Sequence, residues 1–195
     1  MIATLPARLA AAVLLGFCSP ILLLVGLAVR LGLGSPVLFR QCRAGLGGVS
    51  FEMMKFRTMA DARDANGELL PDEERTPRLG RILRRSRLDE LPELINIVRG
   101  DMAFVGPRPL LPHTVAAMGD EGIRRGAVAP GLTGLAQVSG NTLLTQEEKL
   151  AIDLAYVDRR DWRMDLLILL RTVWVVIGGE RRTGQAYACN PRRSG

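Results

Sequence analysis

The sequence predicts a mainly helical α+β fold associated with a membrane. Three observations carry this expectation. Residues 9–29 form one uncharged apolar block. Residues 36–59 hold two alternating segments around a glycine-rich turn. Much of the remainder follows helical spacing with recognisable start and stop residues. At 195 residues the chain is long enough for one domain with a core and some added elements.

The N-terminal block, Leu9 to Val29, reads LAAAVLLGFCSPILLLVGLAV. It is long enough to span a bilayer as a helix. It is too long for the core of a signal peptide, and no small-residue cleavage site follows before Arg30. Pro20 lacks an amide hydrogen and crowds the preceding turn, so a bend is expected there. The Ser19 hydroxyl can bond a local carbonyl and reinforce it. Arg8 and Arg30 flank the block. Two topologies fit these residues: a kinked span, and a re-entrant hairpin that returns to the face it entered. In either, Arg30, Arg40 and Arg43 place the rest of the chain in the cytoplasm.

Val37 and Phe39 alternate within Pro36–Arg40, Gly45, Gly47 and Gly48 supply a turn, and Phe51, Met53 and Lys55 share one parity. This predicts a β-hairpin ending in Lys55-Phe56-Arg57. Residues 60–75 are polar, with Asn66-Gly67 and Pro71, and read as an exposed loop with a short helix. Thr76-Pro77 reads as a cap and first-turn proline for a helix carrying Arg78, Arg81, Arg84 and Arg85. A solvated basic face is the plain account of that stripe. The stripe, however, runs straight into Asp89-Glu90.

A further helix is expected from Asp89, with Pro92 in its first turn, Leu91, Leu94, Ile95 and Val98 on its apolar face, and Gly100 as its stop. Two carboxylates at this N-terminus have two readings. They are a helix cap and a first-turn acid. Alternatively they carry chemistry, since a carboxylate can attack a phosphoryl group to form an acyl phosphate. A neighbouring carboxylate can help to hold a divalent metal, and arginines can grip phosphate oxygens. Arg108 sits between Pro107 and Pro109, a rigid presentation that suits a phosphate clamp as well as a stiff turn. Pro130-Gly131-Leu132-Thr133-Gly134 is a second rigid turn, before Ala136-Gln137-Val138. Helix 145–160 begins with a capping box, Thr145 and Glu148, and carries Asp153 and Tyr156 on one side.

The second apolar stretch, residues 166–177, is interrupted by Arg171 and too short to span. Trp162, Arg163 and Asp165 lead into it and Trp174 lies inside it, which fits a helix in the membrane interface. A buried core helix is the alternative. The expected division is residues 1–34 as the membrane helix, 35–180 as a cytoplasmic catalytic domain with interfacial helices, and 181–195 as a basic, loose tail.

Composition narrows the partners. A net charge of +6 calls for an anion: a phosphorylated substrate, an acidic membrane or nucleic acid. Two Trp, two Tyr and five Phe are a poor supply of stacking platforms, which argues against nucleic acid. One histidine, His113, leaves little for a zinc site or a Ser-His-Asp triad. Cys18, Cys42 and Cys189 show no paired or ligand spacing and read as reduced thiols.

Taken in order, Ser19-Pro20, Gln41 to Gly45, Lys55-Phe56-Arg57-Thr58-Met59, Leu88-Asp89-Glu90-Leu91-Pro92, Gly100-Asp101-Met102, Val105-Gly106-Pro107-Arg108-Pro109, Pro130-Gly131-Leu132-Thr133-Gly134 and Ala136-Gln137-Val138 resemble the monotopic phosphoglycosyl transferases, the bacterial sugar transferase family. The resemblance spans nearly the whole chain, and its specificity lies in the order and spacing of the pieces. It implies a re-entrant helix broken at Ser19-Pro20, with the site on the cytoplasmic face of the bacterial inner membrane. It implies Mg2+ (or Mn2+) held at Asp89 and Glu90. It implies a two-step reaction in which Asp89 carries a phospho-sugar taken from a UDP-sugar and passes it to undecaprenyl or another polyprenol phosphate. Glu90 matches the partner of the dyad and Arg108 the arginine near the substrate phosphates. Lys55, Arg57 and Arg85 are further phosphate-binding candidates, and Asp153 and Gln137 further polar ones.

The chain departs from the family pattern at Ala129, Leu135 and Ser139-Gly140-Asn141, and Arg87 stands where serine is common. The first three cluster where nucleotide-sugar contacts are expected. The short form resembled implies an N-acetylated amino or deoxyamino sugar donor, with a hexose donor such as UDP-glucose or UDP-galactose as the alternative. A non-enzymatic basic protein anchored at the membrane also explains the charge and the apolar segments. It does not explain an acidic pair set among arginines.

Overall fold

The computed structural model describes residues 4–180, so the expected tail lies outside the described residues. The first element, α1, runs without interruption from Leu5 to Leu33 through Pro20. The expected helix-break-helix is therefore not seen as two elements. The reason is local. Pro20 has no hydrogen to give the Gly16 carbonyl, and the Ser19 hydroxyl donates to that carbonyl instead, at 2.7 Å. A bond of this kind often bends a helix without ending it.

At about 1.5 Å per residue, the 29 residues of α1 extend roughly 43 Å. Only Ala11, Val25 and Val29 are buried along it, while Phe17, Leu23 and Leu31 are each more than 70% exposed. α1 is the one helix among the described residues long and apolar enough to cross a membrane. Both of its ends are fastened to the rest of the chain. Near the start, Ala11 packs with Met53, Leu94, Ile97 and Met102, and Arg8 Nε donates to the Val98 carbonyl at 2.8 Å. Near the end, Val25 and Val29 pack with Phe56 and Leu83, and Arg57 donates to the carbonyls of Leu33 and Ser35.

The expected hairpin forms from β1 (Leu38–Ala44) and β2 (Ser50–Phe56), antiparallel with Gln41 opposite Met53. Gly47 and Gly48 adopt positive φ in the turn, which L side chains rarely accept. After the loop come α2 (Asp72–Arg75) and α3 (Arg78–Ser86). Pro77, not Thr76, occupies the cap of α3, because the Thr76 hydroxyl turns back to the Asp72 carbonyl at 2.5 Å. A 3-10 turn, Leu88–Glu90, separates α3 from α4 (Glu93–Arg99), so the helix expected from Asp89 begins one turn late. Gly100 ends it at φ 94°. Asn96, fully buried on α4, accepts from the Met54 amide at 3.1 Å and donates to the Glu52 carbonyl at 2.7 Å, pinning α4 beneath β2.

A second sheet was not foreseen: β3 (Ala103–Val105) and β4 (Gly131–Thr133) pair in parallel. Between them lie α5 (Pro112–Ala117) and α6 (Asp120–Arg125). Three-residue strands are too short to show alternation, which is why only their turns were legible. The strands bring Gly106 against Ala129, Gly131 and Gly134. A Cβ on Gly106 would lie 2.3 Å from the Ala129 carbonyl oxygen, and one on Gly134 would lie 2.1 Å from that of Gly106.

α7 (Leu135–Val138) leads to α8 (Gln146–Arg159), which opens with the expected capping box: Glu148 N donates to Thr145 Oγ1, and Thr145 N to Glu148 Oε2. The last element, α9 (Trp162–Gly178), buries Ile168 against Val105, Leu135, Val138 and Tyr156. Leu170, Val173, Trp174 and Ile177 stay exposed. α9 is thus no ordinary core helix. It and α1 both leave broad apolar faces uncovered, consistent with membrane association.

Candidate active site

The site grows from the sharp junction between α3 and α4. Arg87 takes left-handed φ and ψ (59°, 14°) to close α3, which turns the chain so that Asp89 and Glu90 face inward. Neither carboxylate caps a helix. Asp89 is 5% exposed, and its Oδ1 is buried without a hydrogen-bond partner. That removes the cap reading and leaves an acceptor with unused capacity.

Glu90 is held from two sides. Arg108 Nη2 donates to its Oε1 at 2.7 Å, and Arg87 Nη1 lies 3.6 Å from its Oε2. Burial alone would raise the Glu90 pKa, but Arg108 and then Arg87 outweigh it, and Glu90 titrates below the usual carboxylate range. Asp89 goes the other way. Burial, followed by repulsion from Glu90, pushes it to about 6 against the pull of Lys55 and Arg84. Adjacent carboxylates with pKa values driven apart are a mark of functional sites.

Glu93, on the first turn of α4, is a third buried acid that the sequence reading missed. Burial and then Glu90 push it up to about 8, so it is largely protonated at neutral pH. Its spacing, four residues from Asp89 and three from Glu90, was the available signal: those offsets share a helical face.

Lys55, Arg84, Arg85, Arg87, Asp89, Glu90 and Arg108 line one open cavity of about 610 Å³, together with Asn141, Thr142 and Glu180. Lys55 sits over the Phe39 ring at 5.6 Å, and its pKa is lowered by burial and then by Arg108. Arg57 is not brought here. It is committed to the end of α1, with Asp61 3.9 Å away. Of the arginine stripe, Arg84 and Arg85 reach the cavity, whereas Arg81 donates to the Thr76 carbonyl.

Asp153 stands behind the site. It accepts from Arg125 Nε at 2.9 Å, and Arg125 Nη2 donates to the Arg108 carbonyl at 2.6 Å. Asp153 therefore positions Arg108 through Arg125. Gln137 donates to the Leu132 carbonyl at 3.1 Å and lines a neighbouring cavity of about 310 Å³, which also meets Arg108 and Asn141. The unusual Arg87 and Asn141 acquire a joint role. Both bond one oxygen of Glu180, at 2.7 and 2.5 Å, while Thr142 holds the other through its amide at 3.1 Å.

Among the described residues no group of three His, Cys, Asp or Glu converges as metal ligands. The unpartnered Asp89 Oδ1 nevertheless suits one hard cation shared with a substrate phosphate, the usual arrangement for Mg2+. Glu90 fits less well, since both of its oxygens face arginines.

A buried carboxylate of raised pKa beside guanidiniums, in a chain with two exposed apolar helices, is consistent with a membrane-associated transferase. The chain belongs to the bacterial sugar transferase family, whose pattern it matches over residues 2–179. It is 45% identical over 173 residues to the uncharacterized sugar transferase EpsL of Bacillus subtilis, covering 88% of this chain and 86% of that one. It is 42% identical over 177 residues to the UDP-glucose:undecaprenyl-phosphate glucose-1-phosphate transferase of Caulobacter vibrioides, covering 84% of this chain and 65% of that one. The exopolysaccharide production protein ExoY of Rhizobium meliloti is 34% identical over 182 residues, at 85% and 80% coverage. The chain thus spans most of EpsL and ExoY but less than two thirds of the Caulobacter enzyme.

Proposed function

We propose that this protein transfers a sugar-1-phosphate from a UDP-sugar to undecaprenyl phosphate in two displacements at Asp89. The observation that carries the reading is the Asp89 carboxylate itself: buried, with an unpartnered oxygen, in a cavity of five basic side chains. In the first step an Asp89 oxygen attacks the β-phosphorus of the donor. The bond from that phosphorus to the bridging oxygen breaks, and UMP leaves with the bridging oxygen. In the second, an oxygen of the lipid phosphate attacks the aspartyl phospho-sugar, which restores the Asp89 carboxylate and forms the diphosphate-linked lipid. Arg108, Lys55 and Arg85 bind and orient the phosphates. Glu90 holds Arg108, and Glu93, protonated, adds no further negative charge. A magnesium or manganese ion at Asp89, with Glu90 the weaker second donor because Arg108 and Arg87 already face it, would neutralise diphosphate charge when bound.

The relatives' names favour a hexose donor, UDP-glucose, over the amino sugar expected from chain length. The proposed topology is re-entrant, with the site on the cytoplasmic face. It is supported by the fastening of both ends of α1 to the same catalytic body.

The test is release of UMP from a panel of UDP-sugars with undecaprenyl phosphate. UDP-glucose is expected to give product, and Asp89→Asn none. If no donor yields UMP with the unaltered protein, the proposed chemistry is wrong.

A further inference from the structure

The basic cavity does not end at a wall. Arg87, Glu90, Val175 and Val176 also line a second cavity, of about 510 Å³. Its volume lies within the roughly 300–1,000 Å³ typical of sites for small organic ligands. Leu14 of α1 forms one side, Leu91, Phe104 and Leu132 the floor, and Leu169 and Val173 of α9 the other side. The two threonines that reach it are internally satisfied. Thr133 and Thr172 bond each other at 2.7 Å, and the Thr172 hydroxyl also donates to the Ile168 carbonyl. Ser86, also on the lining, donates to the carbonyls of Ile82 and Leu83, and Gln137 donates to that of Leu132 while its Oε1 has no partner, so apart from that one amide the groove offers mainly carbon until it meets Arg87 and Glu90.

We infer that this groove holds the first isoprene units of the lipid acceptor while its phosphate sits in the basic cavity. The inference rests on the function proposed above and adds where the acceptor lies. The argument is continuity of two chemistries. A prenyl phosphate passes from hydrocarbon to dianion within one bond, as the lining passes from Leu91 and Val176 to Arg87 and Glu90. A phospholipid puts several ester and glycerol oxygens between its chains and its phosphate, and before Arg87 the groove has only the Gln137 amide to meet them. The two helices that wall the groove are those with uncovered apolar faces, so the remainder of a long chain can continue into lipid.

Val173 is 57% and Leu169 39% exposed, so Val173→Trp and Leu169→Trp narrow the groove without entering the core. Two quantities are read: UMP released in one turnover without acceptor, and KM for geranyl, farnesyl and undecaprenyl phosphates. Donor turnover is expected to be unchanged. KM for the longer acceptors should rise about tenfold, the effect of roughly two methylenes losing their apolar wall, with a smaller change for geranyl phosphate. Unchanged acceptor KM across the series in both variants overturns the inference. Loss of the donor step in the unaltered protein instead overturns the proposed chemistry. A diazirine-bearing farnesyl phosphate applied to the unaltered protein should label residues 166–177 and be displaced by undecaprenyl phosphate. Labelling confined to the exposed side of α1, at Phe17 and Leu24, or equal displacement by dioleoyl phosphatidic acid, also overturns it.

Discussion

Arg108 and Glu90 are joined by a 2.7 Å ion pair at the centre of the site, and the pair does two jobs at once. It holds Glu90 ionised beside Asp89, and it aims a guanidinium into the cavity proposed for the phosphates. Arg108→Lys keeps the charge and loses the planar fork. We expect kcat/KM to fall by about 100-fold, the scale of removing one aligned donor to a transition-state oxygen. Steady-state UMP release measures it, and a change below a few-fold would show that Arg108 does not touch the transferred group.

The raised pKa of Asp89 makes two predictions of opposite sense. As a nucleophile Asp89 must be ionised, so the rate of UMP release should climb through about pH 6 and level off above it. As an acid whose folded-state pKa is above its unfolded value, it binds its proton more tightly in the native state. Its contribution to stability is fully present below about pH 4 and is lost as the pH rises through about 6. Asp89→Asn should therefore be inactive yet more stable at pH 7, by up to about 3 kcal/mol. Thermal unfolding in the presence of chelator reads this directly. A variant less stable than its parent would mean that the carboxylate is compensated by contacts the structure does not contain.

Asp153 and Arg125 form a buried pair, 2.8 Å apart, behind the Arg108 carbonyl. Asp153→Asn leaves a buried guanidinium short of its partner and should destabilise by about 3–5 kcal/mol. Replacing both, as Arg125→Met with Asp153→Leu, should restore much of the stability. It should not restore kcat, because nothing then holds the Arg108 carbonyl. Recovery of both together would make Asp153 purely structural.

The topology is open to chemical labelling. With the native cysteines removed, a cysteine in place of Thr4 should react with impermeant maleimides in inside-out vesicles and resist them in intact cells. Modification in intact cells would make α1 a spanning helix.

The sequence was most informative where one residue decides local geometry. Gly100 stopped α4, Thr145 and Glu148 boxed α8, and Gly47-Gly48 closed the hairpin, because each acts through its immediate neighbours. Asp89, Glu90, Lys55, Arg85 and Arg108 were all legible as candidates, and they do line one cavity. What was not legible depended on tertiary choices. Arg57 looked like Lys55 in sequence but lies across from the free carbonyls at the end of α1, which claim it. Asp153 resembled a site residue and meets Arg108 only at one remove, through Arg125. Pro20 forecast a bend, and α1 runs through it as one element with the Ser19 hydroxyl on the Gly16 carbonyl. The short parallel strands β3 and β4 left no periodic trace, although their glycines set the Arg108 turn.

The double fastening of α1 has a consequence for where the reaction happens. A spanning anchor lets bilayer thickness pull on the domain it carries. Here Arg8 grips α4 at one end and Arg57 grips Leu33 at the other. On the proposed re-entrant topology, the height of Asp89 above the lipid-facing side of α1 is therefore gauged inside the protein. Membranes of different thickness should present the same depth of site to the acceptor, and only changes that loosen those two clasps would alter it.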